Sequence, residues 1–140
     1  MISSTISIRV RYAETDQMGV VYHANYATYC EVARVEFFRS LGLPYKELEE
    51  NGIMLPVVEL QIKYSKPAHY DELLSIETLL TEIPSGAKIR FEYKIYNEKR
   101  ELISTAYSVL AFIEINSRRP VKCPEYMVKK LREIEESQSN

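Results

Sequence analysis

One segment, residues 12–26, holds most of the side chains that could do acid–base or nucleophilic chemistry, in the order YAETDQMGVVYHANY. Asp16 is a candidate general base or nucleophile, and Gly19 permits a tight turn just after it. The helix expected to follow offers unpaired backbone N–H groups and about half a positive charge at its start, near His23. A carboxylate beside such donors has the chemistry to hydrolyse an activated carbonyl compound.

Asp16 and His23 each have a structural interpretation as well. An aspartate just ahead of a helix most often caps it. A histidine in a first helical turn is more often exposed or hydrogen-bonded than catalytic, although the nearby Asp16 and Tyr12 favour a catalytic His23. Two chemical roles of His23 are separable: its backbone N–H can serve as an oxyanion donor, and its ring can orient the carbonyl or a water.

Candidates outside this segment are weaker. Glu59 lies on the polar face of an expected strand, where most glutamates are simply solvated, although it would approach the helix start across a subunit interface. Cys30 and Cys123 stand alone, which excludes C-x-x-C redox chemistry and a cysteine zinc site and favours a reduced, intracellular setting. The sequence has no G-x-S-x-G, glycine-rich phosphate loop or H-E-x-x-H, so serine-hydrolase, P-loop and zincin mechanisms have no basis.

Periodicity predicts the elements that position the segment and places the chain in the α+β class. Alternating apolar residues predict a strand before it. Apolar residues three to four apart predict one long helix after it, ended by Gly42 and Pro44. Four further strands are expected as three hairpins in an antiparallel meander, followed by a charged helix on the surface. The predicted strands are 5–12, 58–64, 72–83, 87–95 and 102–115, and the predicted helices are 24–41, 45–50 and 125–136.

Length and composition indicate one ordinary globular domain over residues 1–140, with 46% hydrophobic and 27% charged residues. A net charge of −2 supplies no basic field for a polyphosphate backbone, so nucleic acid is not an expected partner. The N-terminus lacks the basic start and apolar core of a secretion signal, and no apolar run is long enough to span a membrane. We expect a cytoplasmic protein without membrane insertion.

Two of the predicted strands carry apolar residues on both faces. In one, Leu73 and Leu79 lie opposite Leu74 and Ile76, and the strand 102–115 has the same character. One helix cannot cover both faces of such a sheet, so apolar surface is left over. A second copy of the chain in a two-fold arrangement would cover it most economically, which predicts a homodimer or a higher oligomer.

The segment 12–26 closely resembles the signature of hot-dog-fold acyl-CoA thioesterases of the 4-hydroxybenzoyl-CoA thioesterase type, and the Tol–Pal-associated branch looks nearest. The run D-x-x-G-V-V-Y-H-x-x-Y is its specific part. Further similarity lies in E-V-A-R at residues 31–34, P-V-V-E at 56–59 and Y-x-x-P-A at 64–68. The resemblance extends over residues 6–115, which is most of the chain.

This resemblance implies a hot-dog fold, in which an antiparallel sheet of about five strands wraps a long central helix and two subunits join their sheets with active sites between them. It also implies an acyl-CoA thioesterase for a small or medium acyl group, with Asp16 as nucleophile or general base and His23 and Tyr12 completing the catalytic set. No metal or redox cofactor is expected, and the homodimer is expected to pair into a homotetramer. The expected substrate contacts are Gly19, Val21, Tyr22 and Glu59.

Two alternatives stay open at this point. One is a hot-dog enzyme that acts on acyl-carrier protein, such as a dehydratase, although the His-Phe-Pro type motif of that group is missing. The other is a non-catalytic module that binds acyl-CoA or acyl-carrier protein without turnover. A thiol-release assay separates an enzyme from a binding module.

Overall fold

The computed structural model describes residues 1–139. The predicted α+β architecture is confirmed, because one long helix packs against a five-stranded antiparallel sheet. In chain order the elements are β1 (Ile2–Arg9), α1 (Asn25–Ser40), α2 (Tyr45–Glu50), β2 (Ile53–Met54), β3 (Val57–Tyr64), β4 (Leu73–Leu80), β5 (Lys88–Tyr96), β6 (Leu102–Ala111), β7 (Ile113–Glu114) and α3 (Glu125–Ser139).

The strand order in the sheet is β1-β4-β5-β6-β3, with antiparallel neighbours throughout. The predicted hairpin between β3 and β4 is therefore wrong, since β3 lies beside β6 at the far edge. The segment 65–72 joins β3 to β4 across one end of the sheet. Three backbone hydrogen bonds hold it there: Ser65 and Lys66 donate to the Ile103 carbonyl, and Val21 donates to the Ala68 carbonyl.

The bounds of three strands also differ from the prediction by more than one residue; one of them, β4, ends at Leu80 where residue 83 was expected. β1 runs from Ile2 to Arg9 because the ladder to β4 includes the polar Ser3 and Ser4, and Tyr12 lies beyond it in a 3-10 turn, Tyr12–Glu14. The predicted strand 102–115 is broken after Ala111, and its last part is β7, which pairs with β2 in a separate two-stranded sheet. Alternation of side chains does not reveal where a strand changes partners.

The long helix α1 ends as the sequence predicts. Gly42 has a φ of +75°, a left-handed conformation that strains any residue with a side chain. The N–H groups of Gly42 and Leu43 donate to the carbonyls of Arg39 and Phe38 at 3.1 and 2.9 Å. This pair of bonds is the Schellman motif, which satisfies carbonyls that the helix end leaves unpaired.

Buried side chains form two clusters along α1. The cluster at its first half contains Tyr26, Tyr29 and Ala33, and it also contains Val21 from the segment ahead of the helix. The cluster at its second half contains Phe37, Phe38 and the sheet residues Phe91, Leu110 and Phe112. Each fully buried apolar side chain of this size contributes about 1.5–3 kcal/mol. The first cluster therefore anchors the segment that carries the candidate chemistry to the core.

The C-terminal helix α3 is less peripheral than its charge indicates. Met127 and Leu131 are fully buried in the core cluster at the second half of α1. α3 also covers the edge of β1, since the Ser3 N–H donates to the Gln138 side chain at 3.3 Å. The helix was expected to lie on the surface, but its apolar stripe closes one side of the core.

The edge strand β3, by contrast, has no partner on its outer side among residues 1–139. Val57, Val58, Leu60 and Tyr64 of this strand are each about half exposed. The sheet face turned away from α1 carries a charged row of β5, as its alternation predicts, namely Lys88, Arg90, Glu92 and Lys94. The β3 edge is therefore one place where apolar surface is left over. No helix in the described part of the chain is long and apolar enough to cross a membrane.

Candidate active site

Residues 15–21 form a tight turn, in which Asp16 directly follows the first residue of the base. Thr15 and Val21 form an antiparallel bridge at its base. The Asp16 N–H donates to the Val20 carbonyl at 2.9 Å, and the Asp16 carbonyl accepts from the Gly19 N–H at 3.0 Å. Gly19 has a φ of +78°, so it makes the turn that the sequence predicts for it.

The Asp16 carboxylate holds this turn and does not cap a helix. Its Oδ1 accepts hydrogen bonds from the Met18 N–H at 2.9 Å and the Val20 N–H at 3.4 Å. The cap position of α1 is Ala24, and no side chain bonds to the helix end there. The capping interpretation of Asp16 is therefore wrong. Its Oδ2 has no hydrogen-bond partner within the described chain, which leaves one oxygen for a substrate or a water.

A second carboxylate, Glu14, lies buried two residues ahead of Asp16. Only 7% of its surface is exposed. It receives hydrogen bonds from the backbone and guanidinium of Arg11 and from the Tyr29 hydroxyl. Burial works to raise the pKa of Glu14, but these hydrogen bonds together hold that pKa below its usual value. Glu14 is therefore an anion at neutral pH and part of the framework of the turn.

The start of α1 presents two free backbone donors. Between Val20 and Tyr26, every backbone N–H has an acceptor in the described chain except those of His23 and Ala24. The segment forms a turn closed by the Asn25 N–H, which donates to the Tyr22 carbonyl at 2.9 Å. Both free groups lie at the positive end of a 16-residue helix. Paired N–H groups in that position have the character of an oxyanion site.

Tyr64, at the end of β3, contacts the same helix start. Its hydroxyl donates to the His23 carbonyl at 3.2 Å, which holds the peptide unit that carries the Ala24 N–H. Its ring packs edge-on against Tyr26, with ring centroids 5.3 Å apart. The exposed strand edge and the candidate oxyanion donors are thus parts of one surface.

The predicted site residues other than Glu59 lie in or beside two depressions within one chain. Asp16, Tyr12 and Gly19 line the first, where Tyr12 packs edge-on against Tyr70 at 5.7 Å. His23 and Val21 line the second, together with Tyr26 and Tyr64. Tyr22 borders the second depression, since its ring lies 4.4 Å from the His23 ring. The chain does not place Asp16 and His23 in a single closed cavity.

Glu59 lies apart from both depressions. It projects from β3 on the face turned away from α1, where it accepts a hydrogen bond from the Tyr107 hydroxyl. The Arg90 guanidinium lies 4.0 Å from the centre of the Tyr107 ring on the same face. Within one chain Glu59 therefore has a structural partner, and its substrate contact remains a prediction.

Two residues of the site were not singled out from the sequence. Glu14 belongs to the signature run, yet nothing in the residue types showed that it would be buried while the neighbouring Asp16 would not. Tyr64 was noted in a strand pattern and in the resemblance at residues 64–68, but not as a site residue, because its contact with His23 depends on the pairing of β3 with β6. No group of three or more His, Cys, Asp or Glu side chains placed to hold a metal ion occurs in residues 1–139.

Comparison with known proteins shows the family to which the chain belongs. Residues 10–131 match the family model of the thioesterase-like superfamily. The chain belongs to this superfamily. A putative acyl-CoA thioesterase of Bacillus subtilis strain 168, YneP, is 42% identical over 115 residues, which cover 82% of this chain and 83% of YneP. The acyl-CoA thioesterase YbgC of Haemophilus influenzae is 36% identical over 119 residues, covering 84% of this chain and 86% of YbgC.

The fold of this thioesterase is shared with solved structures. A DHNA-CoA thioesterase from Staphylococcus aureus superposes with a TM-score of 0.88 and 36% sequence identity, over 99% of this chain and 93% of its own. The predicted hot-dog fold and the predicted enzyme class, a thioesterase, are thereby confirmed.

Proposed function

We propose that this thioesterase hydrolyses small or medium acyl-CoA thioesters, with Asp16 as the nucleophile or general base and the start of α1 as the oxyanion site. One observation carries the proposal: a carboxylate with a free oxygen lies on the turn that leads directly to two unpaired backbone N–H groups. The acyl-CoA thioesterase names of YneP and YbgC support the substrate class. The 4-hydroxybenzoyl-CoA type and the Tol–Pal-associated branch are finer proposals, supported by the signature run of residues 12–26.

The proposed reaction needs only these groups. The His23 and Ala24 N–H groups donate to the thioester oxygen, which becomes an oxyanion as the carbonyl carbon is attacked. Either Asp16 attacks that carbon directly, or it takes a proton from a water that attacks. When Asp16 attacks, cleavage of the C–S bond releases the CoA thiolate and leaves an acyl–Asp16 anhydride; a water then hydrolyses the anhydride and supplies the proton of the thiol. When water attacks, Asp16 passes the proton it took from that water to the departing thiolate, and cleavage of the C–S bond releases the carboxylic acid directly. A thioester is reactive enough for a carboxylate and two N–H donors to suffice without a Ser-His pair.

A thiol-release assay over a series of acyl-CoAs tests this function. We expect release of CoA thiol from short, medium and aromatic acyl-CoAs, and a preference among them that defines the acyl group. Cys30 and Cys123 are buried and burial raises the pKa of each thiol to about 12, so a thiol reagent reports on CoA rather than on the protein. Acyl binding without thiol release would instead support a binding module, and release from acyl-carrier protein alone would support the carrier as substrate.

A second copy of the chain completes the proposed site. The exposed edge of β3 ends at Tyr64, which touches the helix start through the His23 carbonyl. An unpaired strand edge with half-exposed apolar side chains is a template for pairing with another strand. We propose that two copies join their β3 edges, so that the substrate binds along the seam. Further pairing of dimers into a homotetramer and a cytoplasmic location remain predictions from the sequence.

Placing a lysine on the free edge tests this pairing. We expect Leu60→Lys to yield a monomer and to reduce thioester hydrolysis, because a charge on an edge strand opposes strand addition. Light scattering after size exclusion measures the mass, and the thiol-release assay measures the activity. Leu102→Lys is the matched control, since Leu102 is a similarly exposed leucine of β6, which already has a neighbour on each side. A wild-type protein that is monomeric and fully active would contradict the shared site.

A further inference from the structure

Glu14 connects the turn that carries Asp16 to the helix that carries the oxyanion donors. Its Oε1 accepts hydrogen bonds from the Arg11 N–H and the Tyr29 hydroxyl, both at 2.9 Å. Its Oε2 accepts from the Arg11 Nε and Nη2 at 3.1 and 2.7 Å. Tyr29 lies in the second turn of α1, so the Glu14 side chain bonds directly to the helix.

The backbone of the same residue makes a second connection. The Glu14 carbonyl accepts from the Tyr22 N–H at 2.9 Å and from the Asn25 side-chain amide at 2.8 Å. Tyr22 and Asn25 flank the two residues with free N–H groups, His23 and Ala24. Three hydrogen bonds at residue 14, one through the carboxylate and two through the carbonyl, thus join the 3-10 turn at Tyr12–Glu14 to α1 and its approach.

Stability alone does not account for a carboxylate at this position. A buried charge loses its hydration, and an apolar side chain of similar volume at such a place is often neutral or stabilising. What an apolar side chain cannot supply is an acceptor that holds the Arg11 N–H and the Tyr29 hydroxyl at once. Fully satisfied buried polar contacts of this kind rigidify a local geometry.

We infer that Glu14 is a positioning residue: its buried carboxylate sets the placement of Asp16 relative to the His23 and Ala24 N–H groups. The inference rests on the proposed function, in which those three groups act on one thioester. Glu14 does not touch the substrate in this account, because its carboxylate faces the protein interior. A reacting group displaced by about 1 Å can lose about 10²-fold in rate, so this connection matters to turnover more than to binding.

Kinetics of two Glu14 variants test the inference. We expect Glu14→Ala to lower kcat by about 10²-fold with little change in KM, because the catalytic groups shift while the CoA contacts remain. Glu14→Gln keeps an amide oxygen for the Arg11 N–H and the Tyr29 hydroxyl. Its NH2 group cannot accept from the Arg11 guanidinium, but that side chain is exposed and can turn into solvent, so Glu14→Gln should restore most of kcat. Asn97→Ala is the matched control, since Asn97 is 8% exposed and holds the β5–β6 turn with its own side-chain hydrogen bonds.

Either of two kinetic results with these variants would overturn the inference: a wild-type kcat in Glu14→Ala, or an equal loss in Asn97→Ala. If Glu14→Ala does not fold, Tyr29→Phe is the second variant, because it removes the hydrogen bond from Glu14 to α1 and leaves the Glu14–Arg11 pair in place. A wild-type kcat in Tyr29→Phe would also overturn the inference.

Hydrogen exchange of residues 16–24 gives a readout without substrate, and we expect faster exchange in Glu14→Ala than in Asn97→Ala. A wild-type protein that releases no thiol would refute the proposed function, whereas unchanged exchange would refute the role of Glu14.

Discussion

Asp16→Asn should lower kcat for acyl-CoA hydrolysis by at least about 10²-fold, the smallest loss expected when a general base is removed. The loss is larger if Asp16 attacks the thioester itself. The substitution is well suited to the structure, because the Asn side-chain oxygen can still accept from the Met18 N–H and keep the turn. Only the charge and the free carboxylate oxygen are removed. Thiol release under saturating acyl-CoA measures the effect, with circular dichroism to check the fold.

Asp71→Asn is the control for this change. Asp71 is an exposed aspartate beside Tyr70, a neighbour of Asp16 in the same depression, and its φ of +68° is one that Asn tolerates well. The same loss of one carboxylate charge should leave turnover close to wild type there. A folded Asp16→Asn protein with wild-type kcat would remove Asp16 from the reaction.

His23→Pro should lower kcat by about 10²–10³-fold, the usual cost of losing one oxyanion donor. Proline has no N–H, and His23 is the second residue of the turn closed between Tyr22 and Asn25, a position that favours proline. His23→Ala keeps the N–H and removes only the ring, so we expect a much smaller loss. The difference between the two variants isolates the backbone donor from the side chain.

Two results with the His23 variants would contradict an oxyanion role for the His23 N–H. Equal and large losses in His23→Ala and His23→Pro would assign the function to the imidazole ring and leave the helix start without a demonstrated role. Equal and negligible losses would place the oxyanion elsewhere. Melting temperatures of both variants, compared with wild type, show whether the proline has disturbed the helix.

The helices and most strands could be predicted from local patterns. The helix α1 was predicted within one residue at each end, and α2 at both ends, since apolar spacing and the glycine and proline that follow are signals within a few residues. The pairing of β3 could not be read in this way. Its neighbour β6 begins 38 residues after β3 ends, and alternation in a strand says nothing about which strand lies beside it.

The candidate site was only partly predictable for the same reason. Asp16 and the turn at Gly19 follow from residue types at short range. The burial of Glu14 depends on Tyr29, fifteen positions later on α1, and the contact of Tyr64 with His23 depends on the end of the β3 strand. Glu59 was expected to approach the helix start across a subunit interface, which stays a prediction. Within one chain the register of β3 puts it on the face turned away from α1, with Tyr107.

Asp16 and the free N–H groups lie in different depressions, so they can act on one thioester only if the bound substrate reaches both depressions. A thioester bound along the β3 edge would place its carbonyl oxygen at the start of α1 and its carbonyl carbon toward the turn of Asp16. The free Oδ2 of Asp16 and the free N–H groups of His23 and Ala24 are the groups that such a substrate would satisfy. Tyr12 and Tyr70, packed edge-on, would border the acyl group or the thiol arm.

A crystal structure of Asp16→Asn with a bound acyl-CoA, chosen as the fastest substrate of the wild type, would show where the thioester lies relative to Asp16 and the start of α1. We expect the thioester oxygen within hydrogen-bond distance of the His23 or Ala24 N–H and the carbonyl carbon next to the side chain of residue 16. A thioester bound with its carbonyl out of reach of that side chain and of both N–H groups would contradict this expectation.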